Sequence, residues 1–226
     1  MALSSFVLLA TTDIGANAAE PSLKDALEAP AGDIAQAYLS TNHMLENVLP
    51  YAEMGVVGTI HVGGEKITPR NASSYKKRYK KRKKIYSEAI RQRRHLSLAG
   101  TYSGIASESC ARVASFWIGF IQSGEASEIR IDQDGVDAVL TITTLVEGKT
   151  RNLKSEAAVV ESSIAVSDDM NSDYYSLGEA KDGKIIIRPD VRVLLGWPDW
   201  ASPPKREDIL NCSVELIPRG QAENAE

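Results

Sequence analysis

The sequence predicts an α+β fold: N-terminal helices followed by an antiparallel β barrel or sandwich of about eight strands. Three observations carry this. In Ile34–Val48 and Tyr75–Leu96 the apolar residues recur at three- and four-residue spacing, and from Leu98 onward they alternate with polar ones. The alternating stretches are separated by turn pairs such as Asp134-Gly135 and Asp182-Gly183. They follow one another too closely to admit crossover helices, which excludes a parallel α/β arrangement. The length, 226 residues, suits one large domain or a medium domain with an appendage, and a composition 43% hydrophobic and 25% charged suits a folded chain. No apolar run of about eighteen residues is present, so no transmembrane helix is expected.

Taken in order, residues 1–30 read as a signal-like segment and linker. Phe6–Ala10 is a small apolar core, Ala16-Asn17-Ala18 has the small-x-small pattern of a cleavage site, and Glu20-Pro21 would open the mature chain. Two features run against a secretion signal: no Lys or Arg precedes the apolar core, and Asp13 lies behind it. Residues 31–97 form a helical region. Asp33 is a candidate N-cap, and Ile34, Tyr38, Thr41, Leu45 and Val48 share one face of a single amphipathic helix ending near Pro50. Gly55–Ile67 suggests a short hairpin about Gly63-Gly64. A basic helix is expected over about 74–96, capped by Ser73 or Ser74. Its Tyr75, Tyr79, Tyr86 and Ile90 fall in a narrow arc, with Ile85, Ala89 and Leu96 beside them. That apolar stripe needs a surface to pack on, and the β domain is the expected one.

The β domain spans 98–219. Strands are expected from Gly100, in Glu128–Gln133, Val136–Val146, Ala157–Val166, Tyr174–Leu177, Lys184–Arg188, Val191–Trp197 and Cys212–Ile217, with an apolar and aromatic stretch at Arg112–Ile121. Residues 220–226 read as a disordered tail. The Gly100-x-Tyr102-x-Gly104 strand after a helix, the meandering strands, and a cysteine near each end resemble small lipocalin-like envelope domains. The resemblance covers 98–219 and implies architecture only. Trp117 does not stand in the Gly-x-Trp position that marks lipocalins, so no functional residue is carried over. The cysteines, Cys110 and Cys212, are an even set. Paired in a disulfide, they would close a loop of roughly 100 residues, a chain-entropy gain of about 4–5 kcal/mol. Such a bond belongs to an oxidising compartment and agrees with export. Free cysteines are also common in cores.

Charge gives the strongest functional signal. Eleven of the 26 basic residues lie between Lys76 and Arg94: Lys76, Lys77, Arg78, Lys80, Lys81, Arg82, Lys83, Lys84, Arg91, Arg93 and Arg94. Only one of the 30 acidic residues, Glu88, lies among them, which leaves 15 basic against 29 acidic elsewhere. These eleven are the candidate anion-binding set, because such a cluster either meets an anion or stays in water. Eight of the nine residues from Lys76 to Lys84 are basic, and self-repulsion at that density disfavours a helix unless anions lie near. The expected partners are an anionic envelope polymer, a membrane surface or an acidic protein, with nucleic acid as the alternative. Should the chain's own carboxylates neutralise the cluster, no outside partner is required.

Motifs for catalysis or metal binding do not emerge. His43, His61 and His95 have no second His or Cys at zinc-ligand spacing, and there is no Gly-x-Ser-x-Gly turn. Arg130 and Thr141 stand at ligand positions of the EF-hand that Asp132 and Asp134 would need; Tyr174 and Ala180 spoil the same motif around Asp169-Met-Asn171-Ser-Asp173. No cofactor is expected. Trp197 and Trp200 flank Pro198 ahead of Pro203-Pro204, a stiff loop that either presents a ligand-contact surface or seals an end of the β domain. A small apolar ligand would suit such a domain. Asn71-Ala-Ser73 and Asn211-Cys-Ser213 match glycosylation acceptors, which matter only in a eukaryotic secretory route. The expected function is that of a non-catalytic, exported (periplasmic or secreted) binding or envelope-associated protein whose basic helix engages an anionic surface. A cytoplasmic nucleic-acid binder using the same helix, and an enzyme with an acidic site in the β domain, are the alternatives.

Overall fold

The computed structural model describes residues 20–56, 60–62, 65–94, 96–112, 121, 127–167, 175–189 and 206–219. The signal-like core and its cleavage pattern, His95, Trp117, the 169–173 loop, the 191–197 strand with Trp197, Trp200 and the 220–226 tail lie outside the described residues.

A closed barrel of eight antiparallel strands resolves the choice between barrel and sandwich. Its strands are β3 (Gly100–Ala106), β4 (Ser127–Asp134), β5 (Asp137–Val146), β6 (Lys149–Val160), β7 (Ser163–Ser167), β8 (Tyr175–Lys181), β9 (Lys184–Arg188) and β10 (Val214–Pro218). Each pairs with its neighbour in sequence, and β10 returns to β3 with Leu216 opposite Gly104, the up-and-down order. Hairpin turns match the strand twist: Glu147-Gly148 and Asp182-Gly183 both carry two positive φ angles. Ala157–Val166, expected as one strand, is two. Glu161, at φ 53, turns the chain so that Val160 pairs with Ser163, a turn with no Gly or Pro to announce it.

Alternation along the strands fills the barrel. Ile129, Ile131, Leu140, Ile142, Ile164 and Ile187 point inward and are fully buried. Gly178 also faces inward, where a Cβ would lie 2.7 Å from Ile187 Cγ1 and 2.8 Å from Ile164 Cγ2. Close packing at this level therefore needs a residue without a side chain. Outward positions such as Glu128, Arg130, Asp132, Lys154 and Glu156 are polar, with Ile105, Val139 and Leu145 exposed among them. The Cys110–Cys212 disulfide forms. It ties the 3₁₀ turn Glu108–Arg112, which follows β3, to the residue just past helix α5 (Arg206–Asn211). Ile209 of α5 is buried with both cysteines at the edge of the barrel core. Arg112, expected to open an apolar stretch, ends that 3₁₀ turn.

Part of the segment expected as linker is helical. Helix α1 (Leu23–Glu28) is closed by a capping box in which the Ser22 hydroxyl accepts from Asp25 N–H and the Asp25 carboxylate accepts from Ser22 N–H. Helix α2 (Ala31–His43) has Pro30, not Asp33, at its N-cap; Asp33 lies in the first turn, where its charge suits the helix dipole. The helix does not stop near Pro50. Pro50 lacks an N–H and crowds the carbonyl four residues back, and the chain absorbs this in a π-helical segment, Met44–Val48, before α3 (Leu49–Glu53). Leu49 N–H accordingly reaches the Met44 carbonyl, five residues back. Short strands β1 (Ile60–Val62) and β2 (Glu65–Ile67) form the expected hairpin, with Val62 opposite Glu65. The basic helix is α4 (Ala72–Arg91), preceded by Asn71. The Asn71 carboxamide oxygen accepts from Thr68 N–H at 2.7 Å and fixes the approach.

The helices form a layer two deep. Helix α2 lies against β6, β7 and β8 on one side and against α4 on the other, so Ile34, Ala35, Ala37, Tyr38 and Leu39 are all buried. The apolar stripe of α4 therefore docks chiefly on α1, α2, α3 and the π segment, and the expected direct docking on the strands is corrected. One cluster still runs from Tyr86, Ala89 and Ile90 through α2 to Ala158, Val160, Ala165 and Tyr175 on the outer barrel wall.

Candidate anion-binding surface

Helix α4 has 20 residues and is about 30 Å long. Its inner face consists of Ala72, Tyr79, Arg82, Tyr86, Ala89 and Ile90, all buried. At about 100° per residue, Lys80, Lys81, Lys84 and Arg91 fall within about 60° of Lys77. All five are exposed, so the outer face presents a cationic band about 21 Å long from Lys77 to Arg91.

The chain's own carboxylates line both flanks of this band. Lys76 pairs with Glu53 of α3 at 2.5 Å, and Lys83, one heptad on, lies 3.6 Å from Glu46 of the π segment. From the opposite side Glu20 reaches into the band, where its carboxylate accepts from Lys81. That hydrogen bond, aided by the charges of Lys81, Arg82 and Arg78, holds the Glu20 carboxyl below the usual range. Within the helix, Glu88 accepts from Arg91 at 2.6 Å and from Gln92 at 2.8 Å; both bonds lower its pKa, Arg91's the more. Among the described residues, Lys77, Lys80, Lys84 and Arg94 have no carboxylate partner. Ion pairs thus reach Lys81 and Arg91 of the band as well as Lys76 and Lys83 beside it, and Lys77, Lys80 and Lys84 are left outward without one among the described residues.

Two arginines of the expected set turn inward instead. Arg82 is 5% exposed and its guanidinium lies 5.2 Å from the Tyr79 ring centroid. It fills the gap in the step 75, 79, 86, 90, which is the signal that could have found it. Arg93, its side chain 9% exposed, donates from Nη2 to the carbonyls of Ala26, Leu27 and Ala29 at 3.0, 3.0 and 2.6 Å. These are carbonyls at the C-terminal end of α1, where a cation also suits the helix dipole. Its Nη1 lies 3.8 Å from Glu161 in the β6–β7 turn, so Arg93 is a structural clasp. Arg78 stacks at 4.5 Å over Tyr75. The flanking roles of Glu20, Glu46 and Glu53 were not legible from sequence, except that Glu46 and Glu53 stand one heptad apart.

Aromatic rings do not join the outer face. Tyr79 and Tyr86 are buried, and burial raises the Tyr86 phenol pKa. Stacking of bases on tyrosines interleaved with lysines therefore cannot use Tyr79 or Tyr86, and half-buried Tyr75 lies under Arg78. Elsewhere, a shallow groove of about 680 Å³ runs outside β3, β4 and β5. Of its carboxylates, Asp132 is held by Arg130 at 2.7 Å and Asp137 accepts from the Tyr38 hydroxyl at 3.5 Å. No group of three His, Cys, Asp or Glu that could hold a metal occurs among the described residues. No helix among them is long and apolar enough to cross a membrane. Comparison with protein-family models, with curated proteins and with solved structures found no match to this chain.

Proposed function

We propose that this is an exported binding protein, without catalysis of its own, whose helix α4 engages an anionic surface. The observation that carries the reading is the charged crest: Lys77, Lys80 and Lys84 stand outward on a helix whose opposite face is anchored, while the ion pairs along α4 fall on Lys76, Lys81, Lys83 and Arg91. A helix held this way presents its lysines in a fixed row, so an extended anion meets them with little further ordering. The disulfide supports export, since such bonds persist in oxidising compartments. The inward tyrosines favour a surface met by charge over a nucleic acid read by stacking. The test is retention on phosphatidylglycerol-containing vesicles and on soluble dextran sulfate as salt is raised. Binding that weakens steeply with salt is expected. Absence of binding to both, or binding indifferent to salt, removes the role of α4. N-terminal sequencing of the protein from its host is expected to place the mature start near Glu20; an uncleaved chain would count against export.

A further inference from the structure

Beside the crest, three large apolar side chains are held out in water. Tyr51 and Met54 project from the outer side of α3 and its end, 50% and 65% exposed, and Val56, just beyond, is 71% exposed. Met54 and Val56 are the two most exposed large apolar residues described, and the three fall within six positions. Scattered apolar residues on a surface need no explanation, but a clustered group is the kind that marks an interaction site.

Their mount is packed into the helical layer and lies against the Lys76 side of α4. The inner side of α3, Leu49 and Ala52, is fully buried in one cluster with Met44, Ile67, Ala72 and Tyr79. Glu53, between Tyr51 and Met54, pairs with Lys76 at 2.5 Å. Gly55, at φ +69, reverses the chain against Pro69, and a Cβ there would lie 3.9 Å from the proline ring. Arg70, exposed, follows that proline and leads into α4.

We infer that the anionic surface is a lipid bilayer, with Lys77, Lys80 and Lys84 at the headgroups and Tyr51, Met54 and Val56 entering the interface. This rests on the reading of α4 as an anion-binding helix. Charge alone would serve a soluble polyanion. Stable attachment to a membrane takes two signals, a basic patch and an apolar group that enters the interface, and here both are built on adjacent helices.

The test uses the full chain and two probes: vesicles of phosphatidylglycerol and phosphatidylcholine, and soluble dextran sulfate, which has charge but no acyl interior. The double variant Met54→Gln/Val56→Gln should lose about tenfold in vesicle partition, the equivalent of about one apolar side chain withheld from burial, and keep its dextran sulfate binding. Equal binding of variant and wild type to vesicles would overturn the inference and leave the α4 reading standing, as would equal losses on both probes. Failure of wild type on both probes would remove the two together. As a second readout, Tyr51→Trp should gain fluorescence quenching by brominated acyl chains beyond that of the wild type. No gain, in a variant that still binds vesicles, would place the tip outside the membrane and overturn the proposal.

Discussion

Arg93 and Lys77 carry the same charge in the same cluster, yet one closes the end of α1 and the other faces water. The difference is position on the chain: Arg93 lies just past α4, where the guanidinium reaches three carbonyls of the preceding layer. Arg93→Ala should cost about 2 kcal/mol or more in denaturant unfolding, because a hydrogen bond to a charged group contributes about 1.5–3 kcal/mol. A cost within error would make the clasp ornamental. Glycines in the barrel make a second residue-scale prediction. At Gly178 a Cβ meets Ile187 Cγ1, Ile164 Cγ2 and the Ile186 carbonyl, near the branch points and on backbone. At Gly104 the close atom is the tip of Ile129, which a rotamer change can move. Gly178→Ala should therefore destabilise by about 1–3 kcal/mol and by more than Gly104→Ala, judged by unfolding midpoints. The Glu20 carboxyl gives a pH prediction. Its folded pKa lies below the ordinary glutamate value, so its pairing contributes above that value and is lost as pH falls through the folded one. Lys81→Ala should move the Glu20 titration, followed by carbon NMR, upward toward the ordinary range; an unmoved midpoint would deny the pair.

At the scale of elements, what the sequence made legible follows local chemistry. Hairpins marked by Gly and the β1–β2 pair stand where turn residues put them; the basic helix, expected over about 74–96 behind Ser73 or Ser74, runs from Ala72 to Arg91 behind Asn71, and Leu96 of the expected stripe lies beyond it, exposed. The Glu161-Ser162 turn was hidden because a positive φ at glutamate has no sequence mark. Pro50 misled because a π segment, stabilised by the packing of Met44 and Leu49, let the helix continue past it. The α4 stripe announced that it would be covered, but spacing alone does not say by what; α2 was the answer because it is apolar on both sides. Pairing of Cys110 with Cys212 was left open by the sequence and is decided by β10 closing on β3, which brings their neighbours Ser107 and Ser213 into mutual hydrogen bonds. With the two cysteines 102 positions apart, replacing both by alanine should lower stability by about 4–5 kcal/mol, seen as an earlier denaturant midpoint. A midpoint unchanged by the double replacement would mean that strand pairing alone holds that end shut.

The described residues form a barrel with helices α1 to α4 layered against it, and the outer helix of that layer carries the charge. The acidic excess outside the window found part of its use here: Glu20, Glu46 and Glu53 make a helix of this charge density tolerable by pairing with Lys81, Lys83 and Lys76, and leave Lys77, Lys80 and Lys84 outward. The identity of the anion lies beyond sequence because it depends on which lysines the fold leaves outward, and that is set by the phase of α4 against α2. The decisive measurement is vesicle binding by the triple variant Lys77→Glu/Lys80→Glu/Lys84→Glu beside the wild type, at low and at high salt. Basic residues near an anionic surface are worth about 1 kcal/mol each, so the variant should bind phosphatidylglycerol-containing vesicles about 100-fold or more weakly at low salt and lose most of its salt dependence. A natively folded variant that binds as tightly as the wild type, with the same response to salt, would contradict the assignment of the crest of α4 as the binding surface.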